Sequence, residues 1–160
     1  MLLVFFQSAI GQTEKLKALF LLNFAKNIKW DESDASRPVA IYILGDDHVM
    51  FSELQKFASA TTIGNRSIVV SSSGTLPQAA NYCMVFIAPD RSELLPELIK
   101  LNNGKPCLIV SEQKEGCQKG AGINLINKAG KLAFEINRRV LEKNGLRVSN
   151  SLLSLGVLID

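Results

Sequence analysis

The chain has little of what most chemistry needs. Its 160 residues include one histidine, His48, one tryptophan, Trp30, and three cysteines. Any Ser/His or Cys/His mechanism would have to run through His48. That residue stands in a Gly-Asp-Asp-His turn, where a solvated loop or a helix start accounts for it. One histidine and scattered carboxylates give no ligand cluster, so no metal is expected. No two cysteines have C-x-x-C spacing, which removes zinc ribbons and thioredoxin-like redox motifs. Charge of one sign is also missing. Eighteen basic against 15 acidic residues leave a formal net charge of +3, without the clustered basic face that nucleic acid requires. No apolar run approaches the ~20 residues that span a bilayer. Glycine-rich phosphate loops are absent too. Gly45 stands alone, and Gly120-Ala121-Gly122 lacks a third glycine and precedes a strand pattern, so no nucleotide or other cofactor is expected.

What is present is a core. Hydrophobic residues make up 47% of the chain and charged residues 21%, enough for one globular domain of this length. Residues 1–11 read as a truncated export signal. Met1 to Phe6 are apolar, and Ala9 and Gly11 give the small-x-small pattern of a signal-peptidase site before Gln12. The apolar stretch is about half the usual ~7–15 residues, and no basic segment precedes it; a short strand is the other reading. Residues 12–160 then form the mature domain.

Along that domain helices alternate with short apolar strands. Leu16, Leu19, Phe20, Phe24 and Ile28 recur at a helical period over residues 15–30, with Asn23 interrupting the stripe. Residues 39–44 predict a buried strand closed by Gly45, and Asp46 or Asp47 can cap a helix carrying Val49, Leu54, Phe57 and Ala58. Residues 67–70, 83–88 and 107–110 predict further strands. A turn or helix is expected around Pro77. A helix bearing Leu94, Leu95, Leu98, Ile99 and Leu101 follows, with Pro96 in its first turn and Asp90 or Ser92 as its cap. Residues 123–126 and 132–136 read as a hairpin, and two helices complete residues 131–158. The fold class is α/β: one domain, a mostly parallel sheet with helices on both faces, and an antiparallel hairpin-like edge near the C-terminus.

The residues open to a binding role are few. Glu135 and Asn137 flank Ile136 on a predicted strand, so they share a face opposite Phe134 and Ile136. With Phe134 and Ile136 inward, that pair points to solvent or a partner. In the alternative, Asn137 caps the next helix and Glu135 is an ordinary strand residue. Arg138 and Arg139 form the one dense basic pair. Trp30 is a core-edge residue or an interface anchor. The turn Gly45, Asp46 and Asp47 offers backbone N–H groups to a small anion, which would make the chain a small-ligand module. Cys83 and Cys107 open two buried-looking strands and read as small core thiols. In an exported chain one bridge among Cys83, Cys107 and Cys117 can form, and the sequence does not choose it.

Several motifs, taken in order, resemble the YfiR-like family of exported bacterial proteins. They are Leu-Asn-Phe-Ala-Lys-x-x-x-Trp from Leu22 to Trp30, Ile-Leu-Gly-Asp-Asp from Ile43 to Asp47, and Phe-Glu-Ile-Asn from Phe134 to Asn137. Asn144-Gly-Leu-Arg-Val-Ser149 and the Leu152, Leu153, Leu155 stripe continue the likeness, which covers residues 15–158. The resemblance implies a periplasmic α/β domain without catalytic activity. It implies a partner too: the periplasmic portion of an inner-membrane signalling protein, a diguanylate cyclase in the best-known case, placing the chain in a cyclic-di-GMP pathway. A homodimer is a further expectation. The family's disulfides are matched at Cys83 and Cys117, but the position near Asn124 carries no cysteine, so that paired arrangement is incomplete here.

Overall fold

Residues 3–27 form one helix, α1 (Leu3–Asn27), so the N-terminal segment is helical and not a strand. The computed structural model describes residues 3–30, 36–76 and 81–159. Helix α1 buries Ala18, Leu21, Leu22, Phe24 and Ala25, with Ile28 buried just after it, while Leu16 and Leu19 of the expected stripe are each 40% exposed. The buried face is rotated because α1 packs against both α2 and the sheet, and small Ala18 and Ala25 allow the close approach. Helix α1 ends earlier than expected, in the two-residue strand β1 (Ile28–Lys29). Asn23 is the anchor for that end: the Asn27 amide donates to its backbone and side-chain oxygens, both at 2.9 Å.

Strand β2 (Val39–Leu44) and helix α2 (His48–Ser59) follow. Asp47 is the cap, accepting from the Met50 N–H at 3.0 Å. Met50, Leu54 and Ala58 face the core, and Val49, expected there, is exposed. The strand expected at residues 67–70 is β4 (Arg66–Ser73), and it forms a hairpin with an unforeseen short strand, β3 (Thr62–Ile63), that turns at Gly64 with φ +58°. The segment around Pro77 lies outside the described residues, as do residues 31–35. After β5 (Met84–Ile87) comes a 3-10 turn (Pro89–Leu94) and then α3 (Leu95–Asn102), with Pro96 in its first turn. Neither Asp90 nor Ser92 caps α3, because the 3-10 turn separates them from its start; Leu94 holds that position without a side-chain bond. Leu101 is exposed.

Strands β6 (Leu108–Ser111), β7 (Ile123–Lys128) and β8 (Lys131–Asn137) lead into α4 (Arg138–Lys143), β9 (Arg147–Val148), α5 (Asn150–Leu155) and β10 (Val157–Ile159). The eight-stranded sheet runs β10-β8-β7-β6-β5-β2-β4-β3. Its pairs are parallel except β7–β8 and β3–β4. The β7–β8 turn places Ala129 and Gly130 at positive φ, 51° and 79°, the conformation two-residue hairpins favour. On one face of the sheet, α1, α2, α4 and α5 pack on Ile41, Ile43, Phe86 and Ile136. On the other, α3 packs on Tyr42, Leu44, Val85 and Ile109. Strand β10, missed in the sequence, lies parallel to β8 at one edge. Its approach requires Gly156: a Cβ there would stand 2.7 Å from the Phe134 ring and 2.8 Å from Ile136.

Candidate functional site

The hairpin register decides where Glu135 and Asn137 point. Ile123 pairs with Ile136 and Leu125 with Phe134, and all four are buried in the larger core. Asn124 and Glu135 therefore face each other on the opposite side of the sheet. Residues 112–122 cover them there. The Asn124 amide nitrogen donates to Glu135 Oε2 at 3.1 Å and to the Gln113 carbonyl at 3.0 Å. Its oxygen accepts from Ser111 Oγ at 2.7 Å and from the Gln113 N–H at 3.2 Å. Asn124 and Ser111 are wholly buried. Gly116 has to be glycine in this packing, because a Cβ would collide with Asn124 Oδ1 and Ser111 Oγ.

Asn137 has two structural tasks. Its oxygen caps α4 through the Val140 N–H at 3.1 Å, and its nitrogen donates to the Cys117 carbonyl at 3.1 Å. Glu135 and Asn137 thus lie on one face as expected, half-buried and engaged by the segment above them. Together they form a rigid frame at the C-terminal end of β8, from which α4 projects.

Beside that frame is a cleft of about 540 Å³ between α4 and α5. Leu141, Leu146 and Leu153 supply its apolar wall, and Arg138, Glu142 and Arg147 its charged rim. Arg138 is paired with Glu142 at 2.7 Å, while Arg139 and Arg147 are exposed. Ser149 sets the cleft's far wall. It caps α5 through the Leu152 N–H at 3.1 Å, and its hydroxyl donates to Asn27 Oδ1 at 2.7 Å, tying α5 to the end of α1. At the end of α5 Leu155 is 67% exposed, and on edge strand β10 Leu158 is 53% exposed.

The other candidate residues lie elsewhere. Trp30 is buried, and its indole N–H donates to the Ala25 carbonyl at 2.8 Å. Its one polar atom is satisfied within the chain, as a core residue's should be. The Gly45 turn has φ +130°, and its Cβ position lies 2.5 Å from Asp90 Oδ1. The Asp90 carboxylate already faces the Asp46 N–H at 3.3 Å, so an external anion there would compete with the chain's own. His48 is at the surface, 2.6 Å from Asp46. Among the described residues no group of His, Cys, Asp and Glu is arranged to hold a metal ion, and no helix is long and apolar enough to cross a membrane.

The YfiR/HmsC-like family model matches residues 14–157. The chain belongs to the YfiR/HmsC-like family. Membership supports a regulatory, non-catalytic role. A crystal structure of a conserved domain protein from Vibrio cholerae O1 biovar El Tor has a TM-score of 0.62 to this chain at 10% identity. It is covered over 92% of this chain, which spans 60% of that protein's length. At such identity the likeness concerns the fold alone. No curated protein matches the chain in sequence.

No bridge forms among the cysteines of this YfiR/HmsC-like chain. All three are free. Cys83 packs against the larger core and Cys107 belongs to the smaller one on the other face of the sheet. Burial, with Cys83 nearby, pushes the Cys107 thiol up to about 12, and burial beside Glu135 does the same for Cys117. Both remain protonated and unreactive at neutral pH. Residues 112–122 are held instead through the Asn124 amide, which makes four hydrogen bonds, two of them to Gln113.

The sequence reading passed over Asn124, Glu14 and Lys17. Each carried a readable signal. Asn124 is a polar residue inside the apolar run Ile-Asn-Leu-Ile, and Glu14 and Lys17 continue the buried stripe of α1 at helical spacing.

Proposed function

We propose that this YfiR/HmsC-like chain is an exported, non-enzymatic regulator that binds the periplasmic portion of an inner-membrane signalling protein and represses it, a diguanylate cyclase being the favoured partner. The observation that carries the reading is the α4–α5 cleft. It combines an apolar wall with exposed Arg147 at its rim, and Arg139 on α4 and Leu155 and Leu158 are exposed outside it. Interfaces favour that mixture of arginine and apolar groups. Glu135 and Asn137 act in this reading by holding α4 in place, and Trp30 by supporting the core beneath α1. Residues 1–11 serve as the export segment.

The test is capture of the membrane partner by the full chain, with Arg139→Glu combined with Arg147→Glu as the probe. Both side chains are exposed, so stability should change by no more than about 0.5 kcal/mol per site. Capture should fall severalfold with an unchanged melting temperature. Equal capture by wild type and variant would remove this surface from the interface.

A further inference from the structure

The N-terminal half of α1 carries a cluster of charges that the binding surface does not use. One turn before Ala18 and Leu21, the buried face of the helix presents Lys17 and Glu14. Lys17 is only 7% exposed. Its ammonium lies 3.0 Å from Glu14 Oε1 and 2.8 Å from Glu112 Oε2. The Glu112 contact is one of charge, since that oxygen receives no well-aligned hydrogen bond. Glu112 directly follows β6, and Asp47 stands between β2 and α2. The helix is therefore tied by charge to the C-terminal end of β6, and it lies beside the end of β2.

Glu14 Oε2 breaks the pattern. It is buried and, among the described residues, receives no hydrogen bond. The group within its reach is a second carboxylate, that of Asp47, whose Oδ1 is already engaged in capping α2. Two adjacent, partly desolvated carboxylates cannot both ionise cheaply. One proton resolves both difficulties: a protonated Glu14 donates from Oε2 to Asp47. With Lys17 at +1, Glu112 and Asp47 at −1 each and Glu14 neutral, the cluster carries −1. Without the proton it carries −2 and an unpaired buried oxygen.

We infer that Glu14, Asp47 and Lys17 form a proton-operated latch, in which protonated Glu14 bridges to Asp47 and clamps the N-terminal half of α1 onto the ends of β2 and β6, and loss of the proton loosens it. Burial, then the neighbouring Asp47, pushes the Glu14 carboxyl up to about 7 against the pull of Lys17, so the latch works in the neutral range. Burial disfavours charge on Lys17, but Glu112 and Glu14 outweigh it and hold its pKa above the ordinary lysine value. The cation stays in place throughout. The remaining charges nearby look outward: Lys15 is felt by Glu53 on α2, and Asp46 pairs with His48 in solvent. Because the folded-state pKa of Glu14 lies above its ordinary value of 4.5, the folded chain holds this proton more tightly than the unfolded one. The stabilisation is full below about pH 4.5 and is lost as pH rises through about 7.

The experiment is thermal unfolding of the full chain between pH 5 and pH 8.5, together with amide hydrogen-exchange protection of residues 13–20. Both are measured in a His48→Gln background, which removes the chain's single histidine. The melting temperature should fall by several degrees across the range, and protection of residues 13–20 should drop severalfold above pH 7. Glu14→Gln keeps a donor toward Asp47 at every pH and should flatten both profiles. Parallel profiles with and without Glu14→Gln would overturn the latch. Should that variant fail to fold, the carboxyl carbon shift of Glu14 in the wild type decides. A midpoint near 7 supports the latch, and a midpoint at the ordinary glutamate value overturns it.

Discussion

Replacing Phe134 by alanine should destabilise the chain by about 4 kcal/mol, the range for removing a buried aromatic ring. Phe134 is 5% exposed and meets Phe24 edge-on at 4.9 Å and Phe20 at 5.6 Å between ring centroids. Such pairs add about 0.5–1.5 kcal/mol beyond burial. The ring also contacts the backbone at Gly156, where β10 turns back along β8. The cavity would open where α1, β8 and the last strand converge, and neither a helix nor a paired strand can slide to fill it. In a chain of this size 4 kcal/mol lowers the melting temperature by roughly 8–16 °C. Denaturant unfolding checks it: the midpoint should fall with an unchanged slope. Phe134→Leu, which keeps most of the volume, should cost less than half as much.

Asn124→Ala should cost about 3 kcal/mol, from a residue with no exposed surface and no apolar bulk. The substitution strands the Ser111 hydroxyl, the Gln113 N–H and carbonyl, and one oxygen of Glu135. Each buried polar group left unpaired costs about 1–3 kcal/mol, and partial rehydration keeps the sum below the simple total. The damage should be local first. Exchange protection should fall in residues 112–122 and at the start of α4, because Asn137 joins the same segment to that helix. A cycle with Ser111→Ala tests the network as a unit, and the double variant should lose less than the two single losses added together.

Most of the fold was legible because its strands are short, apolar and bounded by glycine or proline. Strand β2 has the expected ends, and residues 123–126 and 132–136 pair as the expected hairpin. The elements that escaped are those made by tertiary contact. Strands β1, β9 and β10 are two or three residues long, and β10 exists because Gly156 lets the chain pass against Phe134. The rotation of α1 that exposes Leu16 and Leu19 depends on α2 and the sheet beneath, which periodicity within one helix cannot register. For the site, the shared face of Glu135 and Asn137 followed from strand alternation. Their engagement by Asn124 and Cys117 did not, because residues 112–122 carry no pattern that shows which face they cover. Trp30 had two readings, and only the Ala25 carbonyl beneath its indole separates them.

Regulation of a membrane cyclase by this chain is tested by measuring cyclic-di-GMP in a host strain that lacks it. The level should rise on deletion, return to normal with the wild-type chain, and stay high with the folded Arg139→Glu, Arg147→Glu variant. A level unchanged by deletion would contradict the proposed function, and full restoration by the variant would contradict the α4–α5 surface.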